Sequence, residues 1–150
     1  IAIQKATELG VSKIFPCLTK YTNFKKININ NLQLNAIEAA EQSERLDVPK
    51  IENPKELHLL LDSWPKDRHL IFCDEKDSYD NNIVESLLSL KNSNNKRWGV
   101  LVGPEGGFSA VEKDLINKNK SAIAVSLGKR VLRSDTAITV SLFCIQQLLD

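Results

Sequence analysis

Methionine is absent from this chain of 150 residues. A natural reading frame opens on methionine, whereas this one opens on Ile1 within a helical pattern. The chain is therefore expected to be a fragment that lacks an N-terminal portion of its protein. Histidine is nearly absent too, with only His58 and His69, and the three cysteines, Cys17, Cys73 and Cys144, form no Cys-x-x-Cys pair. A structural zinc site draws four ligands from such residues, so no metal is expected. Each cysteine lies in an apolar stretch and reads as a buried free thiol. No apolar run approaches the roughly 20 residues that span a bilayer, and no signal-peptide pattern precedes the first helix. A soluble cytoplasmic protein without membrane contact is the expectation. Charge of one sign is also missing in excess, because 20 basic residues face 19 acidic ones for a net +1. That balance excludes a strongly basic nucleic-acid surface but leaves room for a local patch.

The apolar content is 42%, and the length allows one domain with a real core. Residues 1–9 have helical spacing, with Gly10 as a stop. Residues 11–18 read as a strand in which Pro16 marks an edge or a bulge. Residues 21–28 are polar and basic and read as a loop. Residues 30–45 form a long helix with Leu34, Ile37 and Ala40 on one face. Residues 48–51 allow a short strand. Asn53-Pro54 is a helix-start signal, which predicts a helix over 55–63. Residues 69–74 form a strand apolar on both faces, as a parallel sheet covered on both sides requires. A loop follows over 75–80, then a helix over 82–90 with Ile83, Val84, Leu87 and Leu88 inward. Buried strands are expected at 98–102 and 122–127. Between them, Ser109-Ala-Val-Glu112 is a capping box that opens a helix reaching about Asn119. A last helix runs over about 135–149, with Ile138, Leu142, Ile145 and Leu149 on one face. This alternation predicts an α/β fold with a mostly parallel sheet and helices on both faces.

Two glycine-bearing segments stand out, Gly103-Pro-Glu-Gly-Gly-Phe-Ser109 and Leu127-Gly-Lys-Arg-Val-Leu-Arg-Ser-Asp-Thr136. Each follows a predicted buried strand and leads into a helix, so both should open on the carboxyl edge of the sheet, where α/β folds bind small ligands. The first lacks the lysine and hydroxyl of a phosphate loop and is not Gly-x-Gly-x-x-Gly. Glu105 would repel a phosphate and suits a cationic or hydroxyl-bearing ligand. A tight structural turn is the alternative reading. In the second segment Lys129, Arg130 and Arg133 stand beside Asp135. These arginines either contact phosphate or orient a substrate, or they pair with Glu105 or Asp135 and lock the loop. Ser134, Asp135 or Thr136 can cap the last helix. On the helix ending near Arg45, Gln42 and Arg45 belong to a polar cluster that reads equally as a solvated face paired with Glu38 and Glu41. Neither histidine has a partner visible in the sequence.

Leu101-Val-Gly-Pro-Glu-Gly-Gly-Phe-Ser109 and Leu127-Gly-Lys-Arg-Val-Leu-Arg-Ser-Asp-Thr-Ala137 closely resemble the C-terminal motifs of the RsmE family, bacterial 16S ribosomal RNA uridine-N3 methyltransferases of the SPOUT superfamily. Gln4-Lys-Ala-Thr-Glu-Leu-Gly-Val11 with Pro16, and Glu38-Ala-Ala-Glu-Gln-Ser-Glu-Arg45 with Val48-Pro49, resemble further signatures of that family in the same order. The resemblance implies a C-terminal trefoil knot, a rare exception to ordinary chain topology. It also implies S-adenosylmethionine as cofactor, a homodimer, and an N-terminal PUA-like RNA-binding domain missing here. Carried over, the methyl-donor pocket would use Leu101, Val102, Gly103, Glu105 and Gly107 from the first loop. Leu127, Gly128, Val131, Leu132 and Ala137 would come from the second, with Cys73 and Asp74 at the rim. Gln42, Arg45 and Arg133 would hold 16S ribosomal RNA or the small ribosomal subunit. For the reaction, Asp135 is the expected base at uracil N3 and Arg133 the expected stabiliser of the uracil anion. The family commonly has Thr-Glu-Thr where this chain has Ser134-Asp135-Thr136, so the carboxylate is one methylene shorter. Two rivals stand beside this reading: a non-catalytic RNA-binding or ribosome-assembly module of the same fold, and a doubly wound nucleotide-phosphate enzyme.

Overall fold

The structure, a computed structural model, describes residues 1–22, 27–74 and 80–150. Part of the loop expected at 21–28 and nearly all of the loop expected at 75–80 lie outside those residues. The element order is α1 (Ala2–Glu8), β1 (Lys13–Ile14), β2 (Cys17–Leu18), α2 (Ile29–Gln42), β3 (Lys50–Ile51), β4 (Lys55–Glu56), α3 (Leu57–Asp62), β5 (Arg68–Cys73), α4 (Ile83–Leu90), β6 (Arg97–Leu101), α5 (Ala110–Lys118), β7 (Ala122–Val125) and α6 (Ser134–Leu149). Every strand pairing among the described residues is parallel. The principal sheet has the order β6-β5-β7, and two two-stranded ribbons, β1-β3 and β2-β4, complete the fold.

Strand β5 organises both cores. Its side chains alternate, so Ile71 and Cys73 face one way and Leu70 and Phe72 the other. Ile71 and Cys73 pack with Ile83 and Leu87 of α4, Val125 of β7 and Ile145 of α6. Leu70 and Phe72 pack with Leu57 and Leu61 of α3 and Ile116 of α5. The apolar run expected for a doubly covered strand is thus found, with helices on both faces. Leu87, Ile116 and Ile145 have no exposed surface. Truncating any of them to alanine should cost about 2–5 kcal/mol.

Five expectations are corrected. The strand over 11–18 is two short strands separated at Pro16, which has no N–H to continue a ladder. The helix expected from residue 55 begins at Leu57 instead. Lys55 and Glu56 are drawn into parallel pairing with Cys17 and Leu18, and the Lys55 N–H donates to the Pro16 carbonyl at 3.1 Å. Of the face expected on α2, Ala40 is buried but Leu34 is exposed, and Ala36 and Ala39 complete the buried side. Small side chains let α2 approach α1 closely, and that contact outweighs the larger residues of the other face. In α4, Ile83 and Leu87 are buried, but Val84 and Leu88 lie on the exposed side. The last helix likewise buries Ala137, Ser141, Leu142 and Ile145, with Ile138 and Leu149 only partly covered.

Two local expectations hold. Gly10 takes φ +86 just past Leu9, the C-cap of α1. The capping box of α5 is complete: the Glu112 N–H donates to Ser109 Oγ at 3.2 Å, and the Ser109 N–H donates to Glu112 Oε1 at 2.9 Å. Of the three cysteines, Cys73 is buried, whereas Cys17 and Cys144 are only partly covered. No helix among the described residues is long and apolar enough to cross a membrane.

Candidate functional site

The carboxyl ends of β5, β6 and β7 lie side by side because the three strands are parallel and in register. The segments that leave β6 and β7 meet the end of β5 around a cavity of about 260 Å³. Its wall contains Val102, Gly103, Glu105 and Gly107 from the loop after β6, and Val131, Leu132 and Arg133 from the segment before α6. Seven of the residues named from the sequence are thereby brought together. Cys73 and Asp74 also line it, as expected from the end of β5.

The first loop is shaped by its own residues. The Gly107 N–H donates to the Pro104 carbonyl at 2.8 Å, closing a turn, and Gly107 sits at φ +74, where a side chain is strained. Phe108 folds back over the loop. A Cβ on Gly103 would lie 2.9 Å from the Phe108 ring, so only glycine admits that packing. Phe108 in turn meets Phe72 of β5 edge to face, with centroids 5.5 Å apart. The floor of the cavity is therefore aromatic and fixed to the core.

The second loop is tied to the first by one hydrogen bond, in which Ser134 Oγ donates to the Gly103 carbonyl at 3.0 Å. The chain before it is held on the other side. The Ser126 N–H donates to the Asn81 carbonyl at 2.7 Å, and the Ile83 N–H donates to the Ser126 carbonyl at 3.1 Å. Val131 is largely exposed despite being apolar, so this wall stands open to whatever the cavity receives. Gly128 adopts φ +124 and donates its N–H to Ser126 Oγ at 3.2 Å.

The polar groups are arranged as follows. Asp74 is buried, with its carboxylate 3.4 Å from Lys113 Nζ. Arg133 is exposed and its Nε lies 3.8 Å from Asp135 Oδ1, which is the loop-locking alternative seen in the sequence. Neither Ser134, Asp135 nor Thr136 caps α6 with its side chain, because Arg133 occupies the cap position. The N-terminus of α5, which would otherwise attract an anion, already holds the Glu112 carboxylate on its own cap. The end of α5 is thus occupied by its own carboxylate, whereas the end of α6 at Arg133 and Ser134 borders the cavity without a side-chain cap. Among the acidic residues of the cavity wall, Asp74 is paired with Lys113, while Glu105 stands on the glycine loop.

The remaining residues named from the sequence lie around the cavity or away from it. Leu101 packs with Phe72 in one core and Leu127 against the other. Ala137 is buried, and its N–H donates to the Arg133 carbonyl at 2.8 Å. Gln42 and Arg45 do not reach the cavity. Arg45 donates to the carbonyls of Thr7 and Val11 at 2.8 and 3.1 Å and pairs with Asp47, clamping α1 to the end of α2. Phe72, Phe108, Lys113 and Ser134 were not singled out as site residues. Phe108 and Ser134 sit inside the two motifs, which was the available signal, whereas Lys113 is recognisable only once α5 is placed against β5.

Parallel strands with helices on both faces and a loop-built cavity at their carboxyl edge define an α/β domain. The chain belongs to a family described as an RNA methyltransferase domain, which it matches over residues 1–146. It is 38% identical over 138 residues to ribosomal RNA small subunit methyltransferase E of Rickettsia conorii, covering 91% of this chain and 54% of that protein. The corresponding protein of Synechocystis is 36% identical, over 99% of this chain and 48% of that protein. The chain thus spans about half the length of these relatives. Among solved structures, ribosomal RNA small subunit methyltransferase E of Neisseria gonorrhoeae bound to S-adenosyl methionine superposes with a TM-score of 0.80 at 28% identity, covering 98% of this chain and 59% of that one. A Legionella pneumophila structure in complex with the same cofactor gives 0.78 at 28% identity, over 97% and 59%.

Proposed function

We propose that this chain is the methyl-transfer domain of a 16S ribosomal RNA methyltransferase, with S-adenosylmethionine held between the loops at 102–108 and 131–134. The observation that carries this reading is the Ser134–Gly103 hydrogen bond, which unites the two motif loops around one cavity. Phe72 and Phe108 in the cavity wall suit an adenosyl ring system and Glu105 a cationic or hydroxyl-bearing tail, and two structures of the same fold carry that cofactor. Bound there, the cofactor would supply an electrophilic methyl group on a good leaving group.

The chain's own residues would do the rest. Backbone groups of the two loops position the donor, and Phe72, Phe108, Val131 and Leu132 exclude water from its ring. Well-oriented reactants gain roughly 7–11 kcal/mol from positioning alone. Uracil N3 must lose its proton as it becomes the nucleophile, and Asp135 is the proposed acceptor. Arg133, already beside Asp135, would neutralise charge on uracil O2 or O4. Gln42 and Arg45 would serve the RNA only from a position outside this cavity.

The wider arrangement is proposed with it. The segment at 126–134 is held by Asn81–Ile83 backbone groups at one end and by Gly103 at the other, and the C-terminal knot is proposed for it from the family resemblance. A homodimer would cover the open Val131 wall. A PUA-like N-terminal domain would add to the RNA affinity that this chain, at a net charge of +1, offers by itself, and the protein would act in the cytoplasm. The test is incubation of the chain with unmodified small ribosomal subunits and labelled S-adenosylmethionine, followed by nucleoside analysis. Label in N3-methyluridine is expected. A chain that binds the donor yet labels no RNA would favour the non-catalytic module.

A further inference from the structure

Beside the donor cavity lies a feature the proposed mechanism does not use. Residues 19–22 form a rigid turn. The Thr22 N–H donates to the Thr19 carbonyl at 3.2 Å, the Thr19 N–H donates to Thr22 Oγ1 at 3.1 Å, and the two hydroxyls share a hydrogen bond of 2.7 Å. The turn is anchored to α5, because the Lys20 N–H donates to Glu112 Oε2 at 3.1 Å. Glu112 is the capping-box residue that fixes the end of the glycine loop, so one carboxylate sets both segments.

This turn presents Tyr21. Its Cβ and Cγ press on Gly106, where an added Cβ would lie 3.1 and 3.5 Å from them. Gly106 lines the donor cavity, and Tyr21 does not. Half of the Tyr21 surface is exposed. Lys20 Nζ stands 5.6 Å from the ring centroid. A fixed, open aromatic ring with a cation beside it suits a splayed-out nucleobase and its phosphate.

We propose that the Thr19–Thr22 turn, by holding Tyr21 and Lys20 against Gly106, forms a stacking platform for a single-stranded RNA base adjoining the target nucleotide. The ring would carry the base and Lys20 the phosphate. This inference rests on the reading of the chain as an RNA methyltransferase. It adds a substrate-positioning residue that neither loop motif contains.

The test uses fluorescence anisotropy with a labelled, uridine-containing single-stranded RNA, and calorimetry with S-adenosylmethionine, on the wild-type chain, Tyr21→Leu, Tyr21→Phe and Lys20→Ala. Tyr21→Leu keeps apolar bulk on Gly106 but removes the ring. It should weaken RNA binding about fivefold or more, leave the donor affinity within twofold, and be rescued by Tyr21→Phe. Lys20→Ala should reduce the slope of log affinity against log salt by about 0.7. If the wild type binds RNA and Tyr21→Leu binds it equally well, the platform is wrong while the methyltransferase reading stands. If Tyr21→Leu loses donor and RNA affinity together, Tyr21 is a buttress of the glycine loop and the platform is again wrong. A wild-type chain that binds the donor but no RNA would overturn the platform and the RNA part of the proposed function together.

Discussion

Ser134 Oγ donates to the carbonyl of Gly103 across 31 residues of chain, at 3.0 Å. This bond joins the end of one motif loop to the start of the other, so the cavity between them depends on it. Ser134→Ala removes the donor and leaves a partly buried carbonyl to water. A net loss of about 1 kcal/mol is expected, seen as a roughly fivefold weaker affinity for S-adenosylmethionine by calorimetry. A larger fall in Tm than in affinity would mean that the bond serves the fold more than the site.

Gly107 gives a sharper test of the loop. Its φ of +74 disfavours any β-branched residue, yet no atom lies within 4 Å of where a Cβ would stand. The penalty for Gly107→Val is therefore conformational rather than steric, about 1–3 kcal/mol of strain. Donor binding should be abolished while circular dichroism and cooperative melting persist. Gly107→Asn, which tolerates this backbone region better, should retain weak binding.

Arg133 and Asp135 carry the proposed proton transfer. Arg133→Ala and Asp135→Asn should each slow single-turnover methylation by more than tenfold without changing donor affinity by more than twofold. Rates within about threefold of wild type for both variants would remove these two residues from the mechanism.

Cys17 provides a pH test of the β2 region. Burial, with the Glu112 carboxylate as a second cause, pushes its thiol up from 9.0 to about 12. The unfolded thiol ionises near its ordinary value while the folded one stays protonated. Its contribution to stability is thus fully present below about pH 9 and is lost as pH rises toward 12. Urea midpoints measured from pH 8 to 11 should fall more steeply for the wild type than for Cys17→Ala. The same thiol should resist alkylation in the folded chain at pH 8.

The parts of the fold legible in the sequence were those decided locally. The run His69-Leu-Ile-Phe-Cys73 could only be a doubly covered strand, and Ser109 with Glu112 could be read as a cap without knowing the neighbours. Residues 55–56 were misread because Asn53-Pro54 is a valid local helix signal that pairing with β2 overrides. The face of α2 was misread because alanine counts little in an apolar pattern, although close contact with α1 selects it. At the site, glycines and their spacing revealed both loops. The Phe108–Phe72 contact, the Asp74–Lys113 pair and the Tyr21–Gly106 contact join residues far apart in sequence, and no local pattern encodes them.

Isothermal titration of the folded chain with S-adenosylmethionine, set beside the same titration with ATP, tests the two-loop donor site most directly. The account predicts saturable one-to-one binding of S-adenosylmethionine that Gly107→Val removes, and no comparable affinity for ATP. No heat of binding in a chain shown to be folded, or a preference for ATP, would contradict it.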